Sequence, residues 1–265
     1  PTLTRHAEGN QASTVISRTP SPTRPFSNTH SDWNAPDPMS SLRVLAFFDG
    51  LKSPRKTSLL PYVVAEVELD GVLYAPCAGV WYQIDSDHLS NLNDRVRRIP
   101  NLTDKLRLQP WKIGENEGTY NSNALSGQLE HVVLDKKLFY SSGGRNLKVE
   151  VCDLLTRNRE LICVKKMKDS ANLSHLFAQG SVSARLFSHN QDYRKAAVQQ
   201  LSQIVPNASA GRYDEWTVVF AIATDRLGDL ADSMFFFSKI NLDLAIHAIH
   251  GAGLRAAIAK IDLIN

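Results

Sequence analysis

The sequence predicts an α/β fold of the α+β kind, a mixed sheet with core order α-β-β-β-α-β and a β-rich extension at its N-terminal side. Three observations carry this. From residue 131, three short segments rich in valine, isoleucine and leucine follow one another with turn residues between them, as in an antiparallel meander. A long stripe of apolar residues at helical spacing comes next, over 173–187. Then WTVVFAIAT, nearly all apolar, reads as a central strand buried on both faces and reached by a crossover.

In chain order, residues 1–40 read as a low-complexity tail or linker, because TPSPTRPFSNTHSDWNAPDPMSS is dense in Pro, Ser, Thr and Asn and has no apolar period. Residues 41–100 read as a β-rich subdomain with one helix. SLRVLAFFDG is a strand, and YVVAEVELDGVLYAP is a hairpin around Asp70-Gly71, since both residues tolerate positive φ. GVWYQID adds a third strand. Ser86-Asp87 then caps a helix with Leu89, Leu92, Val96 and Ile99 on one face, ended by Pro100.

Residues 101–265 form the main α/β domain. A short helix is expected within 117–128, interrupted by Gly118 and Gly127. HVVLDKKLFY is the first strand of the meander, with Asp135 inside it; NLKVEVCDLL is the second and ELICVKK the third. Leu173, Leu176, Phe177, Gly180, Ala184 and Phe187 share one face of the next helix. DYRKAAVQQLSQIV continues as a helix, and SKINLDLAIHAIH is another, stopped near Gly251. LRAAIAKIDLI closes the domain as a strand.

Composition excludes little. Of 265 residues, 43% are hydrophobic and 22% charged, with a net charge of +3. That mild basicity permits a nucleic-acid partner without requiring one. No apolar run is long enough for a membrane span. Cys77, Cys152 and Cys163 are too scattered for a disulfide framework or a zinc site, and they fit reduced, buried thiols in a cytoplasmic protein. There is no GxxxxGK[ST], GxGxxG, HExxH or GxSxG motif.

The strands of the meander carry charges that a plain core would not. The α-β-β-β-α-β order is the common core of restriction-endonuclease-like nucleases, which place an acid on one strand and acid-x-Lys on the next. Their carboxylates hold Mg²⁺, and the lysine stabilises charge on the attacked phosphate. In this chain Glu150 or Asp153 supplies the first acid and Lys165 the lysine; Cys163 stands where the second acid belongs, and a thiolate is a poor ligand for a hard cation. With the hairpin turn centred near Arg157, Glu150 lies across from about Val164 and Asp153 across from about Leu161. Glu117 and Asp135 are the further candidate metal ligands, with Glu150. A cross-strand ion pair between Glu150 and Lys165 is the plain alternative.

On the following helix Asn172, His175, Gln179 and Ser183 make a polar stripe of short hydrogen-bonding residues. His175 is a candidate proton carrier, and Gln179 a candidate contact to nucleic acid. Ser238, Lys239 and Asn241 fall at a helix start, where Lys239 and Asn241 are candidates for phosphate contacts and Ser238 is the expected N-cap.

Trp81-Tyr82 with Asp85, Tyr120-Asn121, Leu134 to Lys137, Glu150 to Leu155, Val164-Lys165 and LSHLFAQG at 173–180 together resemble a sporadically distributed bacterial family of unknown function found near mobile elements and defence genes. The resemblance covers roughly residues 80–260, and the family's His two before the lysine is replaced here by Cys163. It implies a role in defence but no established activity. The expected function is therefore a nuclease-like domain that engages DNA or RNA, with Mg²⁺-dependent phosphodiester hydrolysis. A binding module that kept the fold without an active site is the alternative. The N-terminal tail is expected to meet a protein partner or a second copy of the chain.

Overall fold

A computed structural model describes residues 65–77, 80–125, 127, 129–135 and 149–265, together with the backbone of five further strand segments named below. The chain divides into two units, Pro1–Ser86 and Asp87–Asn265.

In the first unit β1 (Leu3–Arg5), β2 (Thr14–Arg18), β3 (Leu42–Ala46) and β4 (Arg55–Ser58) form an antiparallel sheet in that order. Two of these strands lie within the stretch read as a tail. β5 (Val67–Leu69), β6 (Val72–Cys77) and β7 (Val80–Gln83) form a second antiparallel sheet. The expected hairpin is present: Asp70 and Gly71 have φ of 52° and 76°, which matches the twist of a two-residue turn.

The second unit runs α1 (Ser86–Arg97), α2 (Thr103–Leu106), β8 (Trp111–Lys112), α3 (Glu117–Asn123), β9 (His131–Val133), β10 (Leu138–Phe139), β11 (Val149–Glu150), β12 (Leu154–Thr156), β13 (Glu160–Lys166), α4 (Ser170–His189), α5 (Gln191–Leu201), β14 (Thr217–Thr224), α6 (Leu230–Ser233), α7 (Phe236–Gly251) and β15 (Arg255–Ile264). All but the first residue of α1 belong here, not with the N-terminal strands. Arg95 Nε donates to Asp243 Oδ2 at 3.1 Å and Lys239 Nζ to Asn93 Oδ1 at 2.9 Å, which ties α1 to α7.

Six strands make a mixed sheet in the order β8-β15-β14-β13-β12-β9. β9, β12 and β13 are the antiparallel meander, while β13, β14, β15 and β8 run parallel. β14 is apolar from Val218 to Ala223 because both its faces are covered. Val219, Ala221 and Ala223 join a core with Trp111, Tyr120, Ile162 and Val164. On the other face Phe220 meets Phe177 of α4 edge to face, with centroids 5.1 Å apart. Gly180 is what lets α4 come this close, since a Cβ there would lie 2.7 Å from Phe220 Cζ and 3.1 Å from Val218 Cγ1.

The helix starts follow local capping chemistry. Asn116 accepts the Thr119 N–H at 2.9 Å at the start of α3, and Asp169 accepts the Asn172 N–H at 2.6 Å at the start of α4. α7 differs from expectation. It begins at Phe236 with Phe235 at the N-cap position, so Ser238 lies inside the first turn, buried, and does not cap. Among the described residues no helix is long and apolar enough to cross a membrane.

A carboxylate–lysine cluster where two strands part

The first two strands of the meander are each interrupted. Val133 pairs with Leu154, and Leu138 pairs with Glu150. Four residues separate these pairs on one strand and three on the other, so the ribbon carries a bulge. Bulges re-aim side chains, and this one moves the acids away from the register that simple counting gives. Glu150 pairs with Leu138 of β10, while the recorded ladder to β13 holds Leu154 and Leu155 and does not extend to Glu150. The hairpin to β13 is centred on Asn158, one residue later than expected, because Leu155 pairs with Leu161. Asp153 therefore lies beyond Leu161: its N–H donates to Ile162 O at 2.9 Å.

Past that bond the ladder is closed by side chains. The Val164 N–H donates to Asp153 Oδ2 at 2.6 Å, where a strand carbonyl would otherwise serve. The Val151 carbonyl accepts the Ser183 hydroxyl of α4 at 2.6 Å, and Ser183 Oγ also bonds Tyr193 OH of α5 at 2.9 Å. Ser183→Ala is expected to cost about 1–3 kcal/mol, since it strands a buried carbonyl. Urea denaturation of the variant checks this, and Tyr193→Phe should cost less because it spares the bond to Val151.

The fork gathers charge near the carboxyl end of β13, the end of a parallel sheet at which ligands characteristically bind. Asp153 is 3% exposed. Burial, reinforced by the charges of Glu117, Glu150 and Asp135, pushes its carboxyl up to about 7, against the opposing pull of the Val164 N–H. Lys165 Nζ reaches across to Glu117 on the first turn of α3, at 3.0 and 2.8 Å from its two carboxylate oxygens. The next residue has a different task. Lys166 Nζ donates to the carbonyls of Lys112, Ile113 and Glu115 at 2.9–3.0 Å and lies 4.4 Å over the Trp111 ring. It fixes the loop that delivers Glu117. Gln179 of α4 approaches Glu150 at 3.4 Å.

Of the residues singled out in the sequence, Lys165 thus pairs with Glu117, Gln179 pairs with Glu150, and Asp153 lies within electrostatic reach of both acids. Asp135 lies in the turn after β9 instead of inside a strand, and acts on Asp153 through its charge. The remaining three are placed differently. His175 is exposed. Lys239 is buried and serves the packing of α7 on α1. Asn241 donates to Ser174 Oγ at 2.7 Å and lines a groove of about 230 Å³ between α4 and α7. The stripe read as Asn172, His175, Gln179 and Ser183 is half interior, because Gln179 and Ser183 pack on the strands of the fork.

Cys163 adjoins Asp153, and burial first, then the charges of Asp153 and Glu150, push its thiol well up, so it stays protonated. Lys166 was not singled out in the sequence, and Ser183 and Asn121 were noted there without the roles their contacts and burial give them. Asn121 of α3 is fully buried, and neither polar atom of its carboxamide has a partner among the described residues. Among the described residues no three His, Cys, Asp or Glu side chains are arranged to hold a metal ion.

Fold and site together define a mixed α+β protein with a partly buried carboxylate–lysine cluster at the carboxyl edge of its parallel strands. A family of unknown function (DUF6119) has a model that matches residues 22–262, and the chain belongs to that family. No curated protein and no solved structure matches it.

Proposed function

We propose that this chain is a nucleic-acid-engaging, nuclease-like domain that hydrolyses phosphodiester bonds in foreign DNA or RNA with Mg²⁺. The observation that carries this reading is the convergence of Glu117, Glu150, Asp153 and Lys165 where β12 leaves β13. The elements of the main sheet support it: with β10, β11 and α5 set aside as additions, α3, β9, β12, β13, α4 and β14 follow the α-β-β-β-α-β order of restriction-endonuclease-like nucleases.

The donor chemistry suits the ion. Mg²⁺ takes oxygen ligands, keeps several waters, and is commonly held by one or two carboxylates plus substrate phosphate, so it needs no preformed three-residue cage. Glu150 and Asp153 would hold it, and the charge crowding that raises Asp153 is what a cation would relieve. When bound, the ion supplies Lewis-acid polarisation of a phosphoryl oxygen. Glu117 orients Lys165, whose ammonium is available to the attacked phosphate, and Gln179 steadies Glu150.

Plasmid DNA and RNA incubated with the protein, with and without Mg²⁺ or Mn²⁺, test the reading. Metal-dependent products are expected, with Lys165→Ala reducing the rate by about 100-fold. No product from either substrate would overturn it. Cys163 at the position of the second acid favours one other reading, a module that binds without cutting. Retained, salt-sensitive binding in the absence of products would establish that one.

A further inference from the structure

We propose that Asn121 is the water-positioning residue of the carboxylate–lysine cluster, its carboxamide holding one buried water molecule beneath the Glu117–Lys165 pair. The inference rests on the proposed site but not on its being hydrolytic. Asn121 follows Glu117 by four residues on α3, so the two side chains occupy one stripe of the helix, one above the other. That stripe faces the sheet: Tyr120, Ala124 and Leu125 on either side of Asn121 belong to the core with Leu154, Ile162 and Val164. Glu117, at the outer end of the stripe, reaches Lys165.

A carboxamide has two donor hydrogens and two acceptor lone pairs. Here all are sealed from solvent, and neither Nδ2 nor Oδ1 finds a partner among the described residues. Burying such a group unpaired is unfavourable, and buried side chains of this kind are nearly always satisfied by protein or by ordered water. On the core side of Asn121 the helix presents Ala124 and Leu125, so nothing in the packing itself calls for an amide. A single water, which makes two to four hydrogen bonds, accounts for both atoms at once. Held on the stripe of α3 that ends in Glu117, such a water would serve the proposed hydrolysis as a source of the nucleophile, which makes Asn121 a positioning residue instead of a catalytic one.

Asn121→Leu separates the possibilities, because leucine matches the amide in size and has no polar atom to satisfy. If Asn121 holds water, the melting temperature falls in the variant. A crystal structure of the wild-type chain then shows solvent density within hydrogen-bonding distance of both carboxamide atoms. Where wild type cleaves nucleic acid, kcat falls about 100-fold with KM unchanged, a split that loss of packing alone does not give. A rise in melting temperature together with a dry carboxamide overturns the proposal. Should wild type show no cleavage, the nuclease reading fails, and density and melting temperature still decide for or against the water.

Discussion

Asp153→Asn is expected to raise the melting temperature at pH 8 by about 10 °C and to flatten its dependence on pH between about 4 and 7. The native carboxyl titrates at about 7 and its ordinary value is 3.8. The folded state therefore holds a proton that the unfolded chain has released over that interval. Stability from this group is complete below about pH 4, where both states are protonated. It is lost as pH rises towards 7 and stays lost above. The span corresponds to on the order of 4 kcal/mol. Asparagine keeps an oxygen for the Val164 N–H and carries no charge against Glu117, Glu150 and Asp135. Thermal melts of wild type and variant from pH 4 to 8 measure the effect, and the same variant should lose metal-dependent cleavage. A pH profile identical in the two proteins would show that Asp153 does not carry the crowded charge.

Gly180→Ala has the second-largest expected effect, and its sign is opposite to what helix propensity alone gives. Alanine in mid-helix is favoured over glycine by about 0.5–1 kcal/mol. Here the added methyl would lie 2.7 Å from Phe220 Cζ and 3.1 Å from Val218 Cγ1. Those atoms belong to a ring packed against Phe177 and to the central strand, so little can give way. Overpacking costs typically about 1–3 kcal/mol, and the clash outweighs the propensity gain. Guanidinium denaturation should show a net loss of about 2 kcal/mol. Gly180→Ala combined with Phe220→Leu should recover part of it; unchanged stability in the single variant would mean that α4 and β14 sit farther apart than described.

Much of the scaffold was legible because period and punctuation act locally. The Asp70-Gly71 turn, the apolar run of β14, the stripe of α4 and the stop at Gly251 each follow from a few neighbouring residues. What escaped depends on partners far along the chain. β8 is two residues long and owes its strand geometry to β15, some 150 positions later. The helix α1 carries an ordinary amphipathic pattern, and nothing in it announces Asp243 or Lys239 as its partners.

The site was legible in membership more than in geometry. Glu117, Glu150, Asp153 and Lys165 stood out because charges are costly among strand valines and isoleucines. Their arrangement did not, since a one-residue bulge leaves no mark in composition and yet changes which neighbour each acid meets. Lys239 and Asn241 look identical in sequence whether they contact a phosphate or brace a helix; in the fold Lys239 bonds Asn93 and Asn241 bonds Ser174. Asn121 lay in plain view beside Tyr120, but only its burial without a partner distinguishes it from any polar residue of a short helix.

Along most of the sheet the cross-links come from peptide groups, which every residue except proline supplies alike. At Val151 and Val164 they come instead from a serine and an aspartate, so there the pairing is written in side chains and is open to revision by single codon changes. Mutations in this one corner can redraw the chemistry while the remaining strands keep their registration. Relatives can be expected to differ here before they differ anywhere else in the sheet.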